Sequence, residues 1–121
     1  MLFKDLQGLD GIDKLNECVP LVNSIFADKE LMESIKDMSW VEAATPIYKK
    51  YSDEINKIME ILEEKPESAV EIINTTARII MEIFKDKDIA AFFTLSCESM
   101  KSAISVMAST KEGQSKGSSD M

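Results

Sequence analysis

The chain has 121 residues, with 14 Lys and Arg against 22 Asp and Glu, no histidine and two cysteines. That length fits one domain able to bury a core without disulfides or a structural metal. A formal net charge of −8 repels phosphate backbones and argues against nucleic-acid binding, while the missing histidine removes the usual metal ligand and the usual general base near pH 7.

Apolar residues recur at helical spacing along the chain and no strand-like alternation stands out. The expected fold is all-α: a single compact helical domain of about five or six helices over residues 1–110, then a disordered polar tail over 111–121. Gly8, Asp10 and Gly11 punctuate the start, so Leu2 to Leu9 reads as a short arm or turn of helix, and Asp10 is placed to cap a helix from about Gly11. Leu15, Cys18, Val22, Ile25 and Phe26 follow at mostly helical spacing. Pro20 interrupts them, which predicts a kink or two short helices.

Asp28 can cap a short helix over Lys29 to Met38. Ser39-Trp40-Val41-Glu42 has the form of a capping box, and the helix it starts meets Pro46 early. Ser52 before Asp53 and Glu54 suggests a further helix start, with Ile55, Ile58, Met59 and Leu62 on one face. Pro66 suits the first position of the next helix. There Val70, Ile73, Ala77, Ile80 and Phe84 form one apolar stripe and Ile72, Ile79 and Ile83 a second, so this helix is predicted to be the most buried element. Lys85-Asp86-Lys87-Asp88 reads as a connection with Asp88 as cap. A last helix carries Ile89, Phe93, Cys97, Met100, Ile104 and Met107. From Lys111 apolar residues almost disappear.

The N-terminal residues, Met1-Leu2-Phe3-Lys4-Asp5, turn polar at once and do not resemble a secretory signal. The apolar stretch from Ile89 to Val106 carries Glu98, Lys101 and several serines, which argues against a membrane span. Two unpaired cysteines outside any ligand motif fit a reducing compartment. A cytoplasmic protein is expected.

The strongest candidate for chemistry is Glu63-Glu64-Lys65-Pro66-Glu67. With Glu82 and Asp86 as a second pair, it resembles the magnesium motif of all-helical nucleotide pyrophosphohydrolases, whose carboxylates share metals across two facing helices. Pro66 splits the first motif, and the second pair is spaced by four where that family has three. The other reading is a helix boundary whose acidic residues favour the next helix dipole and solubility. Ser96, Ser99, Ser102 and Ser105 have no histidine to activate them and suit close helix approach. Cys18 and Cys97 lie on apolar stripes and read as packing. No catalytic, cofactor-binding or metal-ligating residue is expected, and no cofactor.

Eight methionines suit either a core or a surface that accepts apolar partners. Trp40, Tyr48 and Tyr51 share a segment with Pro46, and aromatics with a polar tip are enriched at interfaces. Trp40, Tyr48, Met59 and Met100 are the candidates for contact with a protein partner.

The order of features also carries a family resemblance. Lys14-Leu15-Asn16-Glu17-Cys18-Val19-Pro20 is followed by Phe26-Ala27-Asp28-Lys29-Glu30, Ser39-Trp40-Val41-Glu42, Ile47-Tyr48-Lys49-Lys50-Tyr51 and Asp53-Glu54-Ile55. Glu82-Ile83-Phe84-Lys85-Asp86 and Phe92-Phe93 come later, before a polar tail. This pattern, over roughly residues 12 to 95, resembles the tail assembly chaperones of long-tailed bacteriophages and prophages. The resemblance implies a small helical protein of the host cytoplasm that coats a long helical tape-measure protein and keeps it soluble while tail-tube subunits polymerise around it. Many members of that family are made in two lengths by a programmed frameshift, and the polar tail here would suit the shorter form. Weak self-association is expected of an unoccupied apolar groove. The alternatives are the metal-dependent pyrophosphohydrolase above and a small acidic regulator of a basic partner.

Because residues 111–121 offer almost no apolar area, their deletion should leave the thermal midpoint nearly unchanged. A melting curve of the truncated chain checks this, and a large loss of stability would mean that the tail docks on the domain.

Overall fold

Local capping chemistry sets most of the helix starts. In the computed structural model, which describes residues 1–107, a 3-10 turn over Phe3–Asp5 precedes α1 (Gly8–Phe26), which begins without a side-chain cap. Asp28 then accepts from the Leu31 N–H at 3.0 Å and opens α2 (Lys29–Ile35). Ser39 and Glu42 form the reciprocal capping box, each bond 3.2 Å, that opens α3 (Trp40–Ile61). Ser68 accepts from the Glu71 N–H at 3.1 Å at the head of α4 (Ala69–Lys85). Asp86 accepts from the N–H groups of Asp88 and Ile89, both at 3.1 Å, and opens α5 (Lys87–Ser96). Another helix begins at 100 and reaches 107, the last described residue.

The fold is therefore all-α, as expected, with no strand among the described residues. Helix α1 packs on α3, α3 on α4, α4 on α5 and α5 back on α1, so the four close a ring around one core, while α2 lies against α3. The core includes Phe3, Val22, Ile25, Ile35, Ile47, Ile58, Ile80, Ile83 and Phe93. The second half of α4 is buried on nearly every side: Thr75, Thr76, Ala77, Ile79, Ile80, Glu82, Ile83 and Phe84 are all buried. Its first half is not, since Val70 is exposed and Ile72 and Ile73 are half-buried.

Several boundaries differ from expectation. Helix α1 starts at Gly8 rather than after Asp10, and it runs through Pro20 as one helix. Pro20 and Asn16, one turn earlier, are both exposed, so the carbonyl that loses its partner faces water. Helix α3 likewise continues through Pro46 and leaves helical geometry at Tyr51 (φ −122°, ψ 38°), just before the expected new start at Ser52. Helix α4 starts at Ala69, because Ser68 and not Pro66 supplies the cap. At the C-terminal end of α3, Glu63 takes a left-handed conformation (φ 58°) and the Glu64 N–H reaches back to the Met59 carbonyl at 2.8 Å. That is the Schellman stop, at a position where glycine is usual.

The expected last helix is two. Cys97 is extended (φ −122°, ψ 112°). Its Sγ points to the Val19 carbonyl at 3.5 Å, and Ser99 Oγ donates to Asn23 Oδ1 at 2.7 Å. The break lets the chain follow α1. Asp86, not Asp88, is the cap of α5. The tail expected over 111–121, and its boundary at 110, lie outside the described residues.

Ile80 is fully buried and Ile73 only half-buried. Ile80→Ala should cost about 2–5 kcal/mol and Ile73→Ala distinctly less. Denaturant midpoints of the two variants check the order, and an equal or reversed order would contradict the placement of α4.

Candidate protein-binding groove

The end of α1, the short α2 and the 100–107 helix leave a groove of about 290 Å³ between them. Phe26 and Ala27 line it from α1, Lys29, Met32 and Glu33 from α2, and Ser99, Ser102, Ala103 and Val106 from the segment after α5. Its inner wall is apolar: Phe26, Met32 and Ala103 belong to the buried core. Its rim is polar, with exposed Lys29, Glu33 and Ser102. The volume lies near the bottom of the range for small-molecule sites, roughly 300–1,000 Å³, and suits inserted side chains rather than an enclosed ligand.

The α2 wall is held by one carboxylate. Asp28 Oδ1 accepts from the Leu31 N–H, while Oδ2 accepts from Tyr51 Oη at 2.7 Å and lies 2.5 Å from Lys50 Nζ. The Lys50 ammonium, the Leu31 amide and the Tyr51 hydroxyl together hold the Asp28 carboxyl down at about 2. Burial, then the neighbouring Asp28, pushes Tyr51 up to about 12, so it remains a donor. Behind the groove three aromatic rings run in series. Phe26 meets Phe84 edge to face at 4.9 Å between centroids, and Phe84 stacks on Trp40 at 5.2 Å.

The four residues proposed for partner contact separate in the structure. Trp40 is half-buried, behind the groove through Phe84, and beside exposed Val41. Tyr48 is half-buried on α3, and its hydroxyl donates to Asn56 Oδ1 at 3.0 Å. Met59 and Met100 are 3% and 0% exposed and are core side chains, so direct contact through them is corrected to packing. Phe26, Met32, Ala103 and Val106 were not among the four. In the sequence Phe26 is one member of a helical apolar stripe and Met32 one of eight methionines, and neither signal distinguishes a core side chain from one that is open on one side.

The acidic residues of the magnesium-like motif are not brought together. Glu63 turns away in its left-handed conformation, 3.8 Å from Lys14 Nζ. Glu64 lies 2.5 Å from the Met1 amino group and 2.9 Å from Arg78, and these two cations hold its carboxyl below the usual range. The shallow depression beside them, about 610 Å³, takes in Glu60, Glu63 and Glu64 but neither Glu82 nor Asp86. Glu82 is bonded to the backbone of the N-terminal arm and Asp86 to the first turn of α5. Among the described residues no three Asp, Glu, Cys or His side chains converge as a metal-binding set. Cys18 and Cys97 are buried; burial and the neighbouring Glu17 push the Cys18 thiol up to about 12, and burial raises Cys97. Both behave as small apolar groups.

Comparison with known proteins found no family model, no curated relative and no solved structure that matches the chain. No described helix is long and apolar enough to cross a membrane.

The Asp28 linkage has a definite sign. Its carboxyl sits at about 2 in the fold against an ordinary 3.8, so its contribution is present above the ordinary value and is lost as pH falls through the folded one. Asp28→Asn should therefore lower the thermal midpoint at neutral pH, and its deficit against the wild type should shrink between about pH 4 and pH 2. Thermal melts of both proteins across that range check this. A deficit that does not depend on pH would mean the carboxylate charge is not what holds the corner.

Proposed function

We propose that this protein is a non-catalytic chaperone that takes apolar side chains of a long helical protein into the groove between α1, α2 and the 100–107 helix. The observation that carries the reading is the inner wall itself: Phe26 and Met32 pack in the core yet face an open cleft. An amphipathic helix presents apolar side chains one turn apart and can seat them in such a cleft while its polar face stays in water. The net charge of −8 keeps the resulting assembly soluble.

The sequence resemblance to phage tail assembly chaperones supplies the identity of the partner: a tape-measure protein, held soluble in the cytoplasm of the infected host. No nucleic acid, membrane or cofactor takes part in this reading. The pyrophosphohydrolase reading draws no support from the acidic residues, since Glu64, Glu82 and Asp86 each have a structural partner.

Co-expression with the long helical protein encoded beside this one tests the proposal. The partner should become soluble and co-purify. Ser102→Glu and Val106→Glu, on the open side of the groove, should abolish the effect and leave the melting temperature unchanged. The reading fails if the partner stays insoluble, is soluble alone, or is rescued equally well by both variants.

A further inference from the structure

An apolar floor accepts many amphipathic helices, and discrimination among them falls to the charges at its rim. Only two residues that line the groove are charged, Lys29 and Glu33. They stand four positions apart on α2 with Met32 between them, so the three share one face. Glu33 already has a cation, because the Lys36 ammonium donates to its carboxylate. Glu30 does not line the groove, and its charge acts on Lys50 of α3. Asp28 is taken up at the corner with Lys50 and Tyr51. Lys29 is exposed, and among the described residues no carboxylate pairs with it.

The opposite wall adds no competing acid. Ser99, Ser102, Ala103 and Val106 are uncharged, and the Ser99 hydroxyl donates to Asn23 Oδ1. The groove therefore presents one uncompensated positive charge beside an apolar floor, on a chain whose net charge is −8. An anionic group at the rim meets Lys29 directly. The net charge of the chain acts from farther away and is screened beyond about 8 Å at physiological salt.

We propose that the occupant is an amphipathic helix with one carboxylate beside its apolar stripe, and that Lys29 pairs with that carboxylate and so selects the helix and its register. A helix supplies both features at once: an apolar residue and a carboxylate three or four positions apart lie on one face, as Met32 and Lys29 do on α2. Apolar side chains seated against Phe26 and Met32 give the affinity. The rim pair adds little to it, but a cation at that flank meets Lys29 as like charge, which rejects the wrong helix or the wrong register. The rest of the partner's polar face is free to be basic, as a chain of charge −8 attracts. This selection rests on the groove being the docking site.

A yeast-displayed library of helical peptides tests this, with leucines fixed at i, i+4 and i+7 and the flanking positions varied. It is selected separately on the full wild-type chain, on Lys29→Met and on Lys29→Glu. The wild type should enrich Asp or Glu at one flanking position. Lys29→Met should show no preference there, and Lys29→Glu should enrich Lys or Arg at the same position. A peptide selected on the wild type should bind about two- to fivefold more weakly when its carboxylate is replaced by the amide, and that difference should vanish in high salt. Lys29 is exposed, so both variants should melt with the wild type. Binders that keep the apolar stripe without an acidic preference, or an acidic preference that persists on Lys29→Glu, overturn selection by Lys29 and leave the groove reading standing. If no peptide binds, or if Val106→Glu does not weaken the binders, the groove reading itself fails and selection by Lys29 fails with it.

Discussion

The Asp28 carboxylate joins two elements of this fold. Its first oxygen starts α2, and its second receives the phenol of Tyr51 and the ammonium of Lys50 from α3. A helix of seven residues has too few internal bonds to persist alone, so α2 depends on this corner and on its burial against α3. The corner falls where α3 leaves helical geometry, at Tyr51. Rigidity at the break and the position of one groove wall therefore have a common origin, in a side chain that sits outside the groove.

An acidic chain need not carry its charge only as a solvated coat. Glu82 and Asp86 accept backbone amides, and Glu64 lies between two cations. Each carboxylate substitutes for a partner the backbone or the surface lacks: a tether for the arm, a helix cap, a counter-ion. This is why an acidic run with the look of a metal motif does not assemble into one. Its members end one helix, begin another and hold the arm, and those duties point them in different directions.

Reciprocal caps and helical apolar stripes made the fold class and several boundaries legible, because both act within one or two turns. Ser39 with Glu42 forms the capping box that its spacing predicts, and Ser68-Ala69-Val70-Glu71 carries the same spacing, although the nearby Pro66 points to an earlier start. Other features depend on tertiary setting. Pro20 is tolerated because its side of α1 faces water. The left-handed stop falls on Glu63, a residue that gives no such signal. The break at Cys97 has neither proline nor glycine near it, and its contacts are with Val19 and Asn23, far away in the chain. The groove was the least legible feature. Met32 and Met100 are the same residue type, both buried, and only the position of the final helix decides that one faces a cleft and the other is enclosed.

The aromatic series behind that cleft gives the molecule a built-in optical reporter. Trp40 is the sole tryptophan, and it is stacked on Phe84, which itself meets the groove-lining Phe26. Displacement of the Phe26 ring by an occupant is transmitted by direct contact to the surroundings of the one indole. Its emission therefore reads the state of the groove from behind, with no label attached and no change at the binding surface.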